Sequence, residues 1–457
     1  METTAGKKMF KIKEKEMDLP DDILIAGLGK TGIALTRFLA GMGKRVAVTD
    51  AKREEDLNES LAALNGVKFK GIFGGHDRDL FLSFPMIVIS PGIDSEEPFL
   101  REARGKGIPV IGELELAARF VDEPIITITG TNGKTTTTTL IGEIFEKVYP
   151  GVFVGGNIGN PFINYVREGK KAPYIILEVS SFQLETINTF HPGTAVLLNI
   201  TEDHLDRYRS YDEYIRAKYR IFENSTESDY AIIGKGLPVK DLVKARTYFF
   251  SAKEPLEEGA FLEGDTMHVR IKGEEFLYKR ALSRLVGIHN TENILAALIV
   301  AHAHNIEQDA VEEVVSGFTG LAHRVEPVRT LKGITFYNDS KATNVDAAKR
   351  AIESMDSNVI LIAGGKDKGG SYQTVAGLMG KIKAMILIGE AKEKIAEELS
   401  GFTVTYMEED LTGAVERALA VADRGDSVLF SPMCSSFDMF RDYKERGNIF
   451  KRIVESL

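Results

Sequence analysis

A chain of 457 residues is too long for one hydrophobic core, and its length predicts two to four domains. Its composition, 43% hydrophobic and 27% charged, is typical of a globular protein and excludes a disordered chain. The formal net charge of −10 argues against a nucleic-acid-binding surface and favours small-molecule partners. The single cysteine, Cys434, excludes disulfides within the chain and makes a thiolate zinc site implausible.

The N-terminal segment Met1–Asp22 is rich in Lys and Glu and lacks the apolar stretch of a signal peptide. Nowhere does an apolar run reach the roughly 18 residues that are needed to span a bilayer. We therefore expect a cytoplasmic protein that does not enter a membrane. The first dozen or so residues carry no periodic apolar pattern and are expected to be a tag or a loose tail, with disorder expected within residues 1–20.

Short apolar runs alternate with longer helical patterns along most of the chain, which predicts parallel sheets flanked by helices. The fold class is α/β with three domains: a Rossmann-like domain over 1–112, a central P-loop-type mononucleotide-binding domain over 113–320, and a Rossmann-like domain over 321–457. Alternating strands between Tyr230 and Lys279 predict a small antiparallel elaboration of the central domain. The predicted buried strands are Ile23–Ala26, Val46–Thr49, Met86–Ile89, Ile125–Thr129, Tyr174–Val179, Ala195–Asn199, Ile334–Tyr337, Val359–Ala363, Met385–Ile388, Val404–Tyr406 and Val428–Phe430.

A first glycine motif, Gly27-Leu-Gly29-Lys-Thr-Gly32, follows the first strand and opens a helical pattern. Asp50 ends the next strand, so the segment satisfies the dinucleotide-binding fingerprint. The same geometry serves any diphosphate at a helix N-terminus. NAD(P), another phosphate-bearing ligand and a purely structural turn therefore remain open, and the motif indicates a phosphate rather than a nicotinamide.

A second glycine loop, Gly130-Thr-Asn-Gly133-Lys134-Thr135-Thr136, lies between a strand and a helix. It is two residues shorter than the usual phosphate loop, because Ile128 stands where that pattern has its first glycine. Its backbone amides can surround phosphate oxygens, Lys134 supplies a positive charge, and the Thr135 hydroxyl can bind Mg²⁺. We interpret it as a nucleotide-triphosphate site. The alternative is a structural turn with a solvated lysine. It is disfavoured because the strand, the glycine loop, the Lys-Thr pair and the helix occur in the order that a phosphate loop requires.

Polar residues follow two strands of the central domain. Glu178 ends one strand, and Asp203 and His204 follow another, where side chains face the ligand crevice and suit Mg²⁺. The alternative for His204 is an ordinary hydrogen-bonded histidine.

Lys218 lies on the apolar stripe of a helix predicted over Asp212–Glu223, where lysine usually extends its amine to solvent. A poorly solvated lysine has a lowered pKa, and its neutral amine can react with carbon dioxide to form a carbamate.

From about residue 21 to its end, the chain resembles the Mur ligase superfamily. The loop at Gly130–Thr135 is similar to the ATP loop that this superfamily shares with folylpolyglutamate synthase. Because the loop is shared, it does not distinguish between the individual enzymes of the superfamily. Other segments resemble the branch that adds D-glutamate to UDP-N-acetylmuramoyl-L-alanine, with Asn338–Asn344 the most discriminating. These segments are Gly27–Gly32, Glu178–Glu185, Thr201–Tyr208, Asn338–Asn344 and Ser431–Asp438.

The resemblance implies an ATP-dependent ligase that forms an acyl phosphate, uses two Mg²⁺ ions and acts as a monomer on small molecules. It implies ATP contacts from Gly130, Thr131, Asn132, Gly133, Lys134, Thr135, Thr136, Asn290, Asn293, Arg324 and Asp339. It implies UDP-substrate contacts from Gly29, Lys30, Thr31, Asp50, Ser90, Pro91, Gly92, Asn157 and His204. It implies D-glutamate contacts from Thr343, Lys368, Ser436, Phe437 and Tyr443. The implied metal ligands are Thr135, Glu178, His204 and carbamylated Lys218, and the implied catalytic residues are Lys134, His204, Lys218 and Lys341.

Two positions depart from the family pattern. Ala51-Lys52 stands where the family often has a hydroxyl residue and an arginine, which leaves the uracil contacts open. Two lysines follow Gly364-Gly365, and only the register favours Lys368 over Lys366 as the one that faces the amino acid.

The chemistry is expected between domains, because an acyl phosphate hydrolyses in open water, and motion of the third domain is therefore predicted. His204 is the candidate base for the amine. Three rival hypotheses remain: another Mur-type ligase or folylpolyglutamate synthase, an NAD(P)-dependent oxidoreductase supported only by the first glycine motif, and a non-catalytic nucleotide-binding regulator.

Overall fold

The computed structural model describes residues 19–203, 207–238, 243–285, 287–355 and 358–457. Three sheets of five, nine and six strands follow one another along the chain. This confirms the predicted three-domain α/β fold class. The domain limits near residues 113 and 321 fall between sheets, and they stay predictions. None of the helices in the described ranges is long and apolar enough to cross a membrane.

The first sheet is entirely parallel and has the strand order β3-β2-β1-β4-β5. Its inner strands β1 and β4 are short apolar runs that are buried on both faces, as parallel strands covered by helices must be, whereas the edge strand β3 is only partly buried. The order reverses between β1 and β4, which opens a crevice at the carboxyl ends of these strands. The elements are β1 Asp22–Ala26, α1 Lys30–Gly41, β2 Arg45–Asp50, α2 Asn58–Ala63, β3 Lys70–Phe73, α3 Arg78–Leu82, β4 Ile87–Ile89, α4 Pro98–Gly105 and β5 Val110–Gly112.

The helix α5, Glu113–Ala118, joins the first sheet to the central domain and is fixed there by two buried glutamates. Glu113 accepts a hydrogen bond from the backbone amide of Ile163 at 2.6 Å. Glu115 accepts from the backbone amides of residues 188–190, each at 2.9 Å. The linker helix is therefore anchored to the central domain by charge-assisted hydrogen bonds.

Glu113→Gln is expected to raise the melting temperature relative to the wild type progressively as the pH rises from about 4.5 to about 7. Burial raises the pKa of Glu113 from 4.5 to about 7, against the opposing hydrogen bonds from backbone amides. The folded state therefore holds this proton more tightly, and the stability it provides is complete below pH 4.5 and lost as the pH approaches 7. Glutamine keeps the acceptor and has no proton to lose, which corresponds to a gain of about 3 kcal/mol at pH 8.

Melting temperatures at pH 5 and pH 8 test this, with Glu115→Gln as the matched control. Burial alone raises the pKa of Glu115, but hydrogen bonds from Thr189, Asn188 and Arg119 outweigh it and lower that pKa. The ionised Glu115 stabilises the fold at neutral pH, so its replacement should destabilise more at pH 8 than at pH 5. A Glu113→Gln effect that is independent of pH contradicts the assignment.

The central sheet has the order β14-β13-β12-β11-β10-β9-β6-β8-β7. Strands β6 to β12 are parallel, and only β12-β13-β14 pair antiparallel. The predicted antiparallel elaboration is confirmed, but its predicted start near Tyr230 was wrong. The elements are β6 Ile125–Thr129, α6 Lys134–Val148, β7 Phe153–Gly156, α7 Phe162–Glu168, β8 Ile175–Glu178, α8 Ser181–Leu184, β9 Thr194–Leu197, α9 Tyr211–Tyr219, β10 Tyr230–Gly234, β11 Arg246–Ser251, β12 Gly259–Glu263, β13 Thr266–Ile271, β14 Glu274–Lys279, α10 Ile288–Ala303 and α11 Gln308–Gly317.

The third sheet has the order β15-β16-β20-β17-β18-β19, and all its pairs are parallel except β15-β16. The carboxyl ends of β16, β17 and β20 lie side by side, so the loops that follow these three strands meet at one edge. The elements are β15 Glu326–Leu331, β16 Ile334–Asn338, α12 Val345–Ser354, β17 Val359–Gly364, β18 Ile382–Ile388, α13 Lys392–Glu398, β19 Val404–Met407, α14 Leu411–Val421, β20 Ser427–Phe430 and α15 Tyr443–Ser456.

Candidate active site

The first glycine motif forms the turn between β1 and α1 at the crevice of the first sheet. Asp50 ties this turn to the end of β2, because its carboxylate accepts from the amides of Leu28 at 2.7 Å and Lys52 at 2.9 Å. One carboxylate oxygen therefore supports the glycine turn, and the other supports the segment that follows β2. The other predicted UDP-substrate residues of this domain lie at the start of α1 or after β4, namely Gly29, Lys30, Thr31, Ser90, Pro91 and Gly92.

Gly32→Ala is expected to destabilise the first domain by about 2 kcal/mol and to weaken binding of a diphosphate ligand. A Cβ at this position would lie 1.9 Å from the carbonyl oxygen of Gly27, so the turn must open. Gly41→Ala, at the other end of α1, is the matched control because its Cβ would meet no atom within 4 Å. Thermal unfolding and titration with a uridine diphosphate ligand measure both effects. Equal behaviour of the two variants would contradict the packing argument.

Arg207 connects this crevice to the central domain, and the sequence analysis assigned it no role. Its guanidinium group donates to the carbonyl oxygens of Pro91 at 2.9 Å and Ile93 at 3.0 Å. It also pairs with Glu185 at 3.0 Å and stacks 4.1 Å from the centre of the Phe182 ring. The loop after β4 is thus held against the central domain by one arginine.

The second glycine loop joins β6 to α6 and has two glycines in conformations that favour glycine. Gly130 has φ 155° and Gly133 has φ 86°. The Lys134 side chain folds back onto the loop, where its amine donates to the carbonyl oxygens of Gly130 at 2.8 Å and Thr131 at 2.7 Å. Burial lowers the pKa of Lys134, while the charges of Glu178 and Asp203 oppose this shift. A cation is therefore held where the loop can receive phosphate groups.

Glu178, at the end of β8, is buried and has one unpaired oxygen. Its Oε1 accepts from Asn157 Nδ2 at 2.8 Å, whereas Oε2 has no hydrogen-bond partner among the described residues. A buried carboxylate oxygen without a partner is costly, and a cation would satisfy it. Across the described ranges, no group of three or more His, Cys, Asp and Glu residues is arranged to hold a metal. The predicted ligand His204 lies outside the described residues.

Lys218, on α9, is only 1% exposed and lies against the phosphate loop. Its amine donates to Gly130 O at 2.8 Å and lies 4.7 Å from the centre of the Tyr214 ring. Burial lowers the pKa of Lys218 far below its usual value, and the positive charge of Lys134 adds to this. Lys218 therefore does not extend its amine to solvent. A neutral amine at this position meets the chemical requirement for a carbamate.

A cleft between the central and C-terminal domains collects most of the predicted ATP residues. Arg324 reaches across it and donates to the Thr135 hydroxyl at 3.1 Å. Asn293 donates to Asn290 at 3.2 Å. The predicted residues that line the cleft are Asn132, Gly133, Thr136, Asn290, Asn293, Arg324 and Asp339. Three further polar or charged residues that line it, Asn199, His289 and Arg350, were not predicted.

Asp339 and Lys341, which follow β16, are both held in low-polarity surroundings. Asp339 accepts from Ser431 Oγ at 2.7 Å and from the Val325 amide at 3.2 Å, and burial raises its pKa to about 7. The Lys341 amine lies 3.8 Å from the centre of the Tyr443 ring, and burial lowers its pKa to about 8. The two groups can change protonation near neutral pH, as groups at reactive sites often do.

The predicted D-glutamate residues lie on the loops after β16, β17 and β20 and at the start of α15. Lys368 lines a cavity together with Asp203 and Asn344. Ser436 is buried, whereas Phe437 is 68% exposed. The remaining two predicted members, Thr343 and Tyr443, are partly buried.

The two lysines of the β17 loop differ in their exposure. Lys366 is exposed, and its backbone pairs with that of Ser435 through hydrogen bonds of 3.0 and 3.2 Å. Lys368 is partly buried and lines the cavity between the central and C-terminal domains. The choice of Lys368 over Lys366 as the lysine that faces the amino acid stays a prediction.

Arg446, on α15, was missed by the sequence analysis and organises two of these loops. Its side chain is 1% exposed and donates to the carbonyl oxygens of Ser340, Cys434 and Ser435 at 2.8 to 3.2 Å. Burial lowers the pKa of Arg446 to about 10. One buried guanidinium group thus ties the loop after β16 to the loop after β20.

Three family models match successive segments of the chain, one for each of the three sheets. Residues 21–112 match the family model described as Mur ligase MurD-like, N-terminal domain, 128–301 match the Mur ligase middle domain, and 323–434 match the Mur ligase, glutamate ligase domain. The chain belongs to the Mur ligase family. Solved Mur-type ligases share its fold, including a pseudomurein peptide ligase type C from Methanothermus fervidus (TM-score 0.60, 20% identity, 95% of this chain and 99% of that one). MurF ligase from Thermotoga maritima in complex with ADP has a TM-score of 0.60 at 16% identity, over 90% and 95% of the two chains.

Relatives of this Mur ligase are also similar along nearly their full length. It is 47% identical to the UDP-N-acetylmuramoylalanine–D-glutamate ligase of Geobacter metallireducens, over 95% of this chain and 97% of the relative. It is 43% identical to the ligase of the same name from Koribacter versatilis, over 95% and 97%. The similarity therefore covers nearly the full length of both relatives.

Proposed function

We propose that this Mur ligase joins the amine of D-glutamate to the L-alanyl carboxylate of UDP-N-acetylmuramoyl-L-alanine, at the expense of ATP, in peptidoglycan synthesis. Relatives that carry this name are 43–47% identical over 95% or more of the chain, which supports the substrates. The observation that carries the chemistry is the unpaired, buried Oε2 of Glu178 beside the phosphate loop. ADP and phosphate are the other products.

The UDP end of the substrate belongs at the crevice of the first sheet. The first turn of α1, at residues 29–31, has free backbone amides and no side-chain cap, which suits a diphosphate. The loop of Ser90 to Gly92, held by Arg207, faces it. The sugar and its L-alanyl carboxylate then extend towards Asn157 and Glu178, which supports an acceptor carboxylate near the phosphate loop. The alternative of an NAD(P)-dependent oxidoreductase is supported only by the first glycine motif.

ATP belongs in the cleft between the central and C-terminal domains. The phosphates are assigned to residues 130–136, with Lys134 as the fixed cation. Asn290, Asn293, Arg324 and Asp339 line the cleft on either side and are assigned to the adenosine and phosphate groups.

Two Mg²⁺ sites are proposed around the same loop. Thr135 would hold the first ion, and Glu178, His204 and carbamylated Lys218 would hold the second. When bound, Mg²⁺ supplies positive charge that offsets the charge on the transferring phosphoryl group. The carbamate forms when the neutral Lys218 amine attacks carbon dioxide and releases one proton, and it converts a buried amine into an additional carboxylate.

The reaction is proposed in two steps. The γ-phosphoryl group of ATP passes to an oxygen of the L-alanyl carboxylate, which yields ADP and an acyl phosphate, while Lys134 stabilises the developing charge. The deprotonated amine of D-glutamate then attacks the acyl carbon, and the tetrahedral intermediate expels phosphate. His204 is proposed to accept the amine proton, and Lys341 to stabilise phosphate. The cleft between domains keeps water from the acyl phosphate.

Thr343, Lys368, Ser436, Phe437 and Tyr443 are assigned to D-glutamate. Lys368 lines the cavity between the central and C-terminal domains, and Ser436 is buried on the loop after β20, which is already paired with the loop of Lys368 through Lys366 and Ser435. We also propose a cytoplasmic monomer that does not bind nucleic acid, in keeping with its net charge of −10.

Phosphate release tests the function directly. We expect release only when ATP, Mg²⁺, UDP-N-acetylmuramoyl-L-alanine and D-glutamate are all present, and none when any one is left out. Turnover with another amino acid instead of D-glutamate would favour another Mur-type ligase, and tight binding of NADH would favour the oxidoreductase. Nucleotide binding without any turnover would favour a regulator.

A further inference from the structure

The loop after β17 carries a lysine that faces a cavity without a partner of its own. Lys368 is partly buried and lines a cavity of about 400 Å³. Within the part of the chain that the structure describes, its amine has no hydrogen-bond or ion-pair partner. A flexible side chain of this kind fixes a ligand only if the backbone that carries it is itself fixed.

The carboxylate of Asp367 fixes the backbone on the far side of Lys368. Its Oδ1 accepts from the backbone amide of Gly369 at 3.1 Å, which closes a turn around Lys368. Gly369 has φ 82°, a conformation that favours glycine and lets the chain turn back at this point. Lys368 therefore lies between a residue and a glycine that the same carboxylate joins.

Helix α13 holds the Asp367 carboxylate in place. The Lys394 amine donates to Asp367 Oδ2 at 2.7 Å and to the carbonyl oxygen of Gly370 at 3.3 Å. Burial alone raises the pKa of Asp367, but hydrogen bonds, first from Lys394 and then from Tyr372, outweigh it and lower that pKa. The carboxylate is thus ionised at neutral pH, and a charge-assisted bond ties the loop to a helix.

Tyr372, at the end of the same loop, adds a second anchor. Its side chain is 1% exposed, and its hydroxyl donates to Asp367 at 2.9 Å and lies 3.1 Å from Cys434 Sγ. Its backbone amide donates to Glu398 of α13 at 2.7 Å. All these contacts lie within the C-terminal domain, so they are kept when that domain moves as a body.

We propose that Asp367 and Lys394 form a positioning pair that holds Lys368 where it binds a carboxylate of the amino acid substrate. This inference rests on the proposed function, because that function assigns Lys368 to D-glutamate. A loop that already has its binding geometry loses less entropy when the amino acid binds. The pair therefore acts on the affinity for the amino acid and not on the other two substrates.

Asp367→Ala should raise KM for D-glutamate about tenfold, because the loop then holds Lys368 in the binding geometry for a smaller fraction of the time. At saturation kcat should stay within about twofold of the wild type, and KM for ATP and for the UDP-substrate should not change. The sign is diagnostic. Loss of a negative charge beside Lys368 would by Coulomb attraction alone lower KM for an anionic amino acid.

Lys394→Met should raise the same KM about fivefold, because Asp367 keeps its bonds to the loop and loses its bond to α13. Lys394→Arg keeps the ion pair and should stay close to the wild type. Lys392→Met is the matched control, since Lys392 lies on the same helix and pairs with Glu409 at 2.9 Å. It removes the same charge and should leave KM for D-glutamate unchanged.

A double-variant comparison tests whether the pair acts through Lys368. In a Lys368→Met background, Asp367→Ala should change KM for D-glutamate by less than about twofold, because the amine that it positions is already gone. Asp367→Asn keeps the acceptor for Gly369 and should give a smaller rise than Asp367→Ala. If Asp367→Ala does not fold, Asp367→Asn and Lys394→Met carry the same comparison.

Trypsin measures the order of the loop without any substrate. Cleavage after Lys368, followed by mass spectrometry, should be faster in Lys394→Met than in the wild type and unchanged in Lys392→Met, since neither variant alters the loop sequence. Equal cleavage in all three proteins would overturn the proposal. So would an unchanged or lowered KM for D-glutamate in Asp367→Ala, an equal rise in KM for ATP, or a full tenfold rise in the Lys368→Met background.

The two measurements separate this inference from the proposed function. If the wild type forms no product with D-glutamate, the proposed function fails, and the trypsin comparison still decides whether Asp367 and Lys394 hold the loop. If the wild type is active and Asp367→Ala has a normal KM for D-glutamate, the positioning pair alone is wrong.

Discussion

Lys134→Ala is expected to lower kcat/KM by about a thousandfold or more. The Lys134 amine is already aimed into the phosphate loop, where it bonds to the carbonyl oxygens of Gly130 and Thr131. Because it is partly buried, its charge is poorly screened by water and acts strongly on a phosphoryl group in transfer. Its loss removes the fixed cation of the loop, so the transition state loses more stabilisation than the bound substrates do.

Steady-state kinetics with all three substrates measure this effect. Lys147→Ala is the matched control, since Lys147 lies on the same helix and pairs at the surface with Glu313. The turnover rate of the Lys147→Ala variant should equal that of the wild type. Melting temperatures of both variants should stay close to the wild-type value, which separates lost chemistry from lost folding. A Lys134→Ala enzyme with normal turnover would show that phosphoryl transfer occurs elsewhere.

Lys218→Ala is expected to lower kcat by about a hundredfold or more and to recover part of that rate when short carboxylates are added. The side chain is buried against the phosphate loop, and burial together with Lys134 lowers its pKa far below the usual value. A larger share of the amine is thus neutral at neutral pH and able to take up carbon dioxide. An added formate or acetate ion can occupy the vacated space and supply the missing carboxylate oxygens.

Two measurements distinguish a carbamate from a plain lysine. Carbon-13 NMR of protein equilibrated with labelled bicarbonate should show one carbamate signal in the wild type and none in Lys218→Ala. Arg216→Ala removes an exposed cation from the same helix and should keep both the signal and the rate. Full activity of Lys218→Ala, or recovery by chloride as well as by carboxylates, would rule out the carbamate.

Local sequence patterns predicted the buried strands and the glycine turns, because neighbouring residues determine both. Runs such as Val359–Gly364 are apolar on both faces, and a strand buried between helices requires this pattern. The two glycine loops were found because their turns and the helices that follow are encoded by adjacent residues. The position of Glu178 at the end of an apolar strand indicated that it faces the ligand crevice. Only the family resemblance associated Lys218 with the phosphate loop, against which its amine lies.

Features that depend on distant pairing were not predictable in this way. The direction of β10 to β12 depends on which strands they pair with, and alternating apolar residues do not encode that choice. Arg207 bonds to Pro91, which is 116 positions earlier, and Asp346 bonds to Asn132 across 214 positions. Arg446 occurs in a helix with many charged residues, and only the folded structure shows that it is buried.

The transfer of an oxygen atom tests the central claim most directly, namely that the cleft activates a carboxylate as an acyl phosphate. UDP-N-acetylmuramoyl-L-alanine labelled with oxygen-18 in its carboxylate is turned over with ATP and D-glutamate, and the released phosphate is analysed by mass spectrometry. One labelled oxygen should appear in each phosphate, because the amine displaces phosphate together with the carboxylate oxygen. Phosphate without the label would contradict the account.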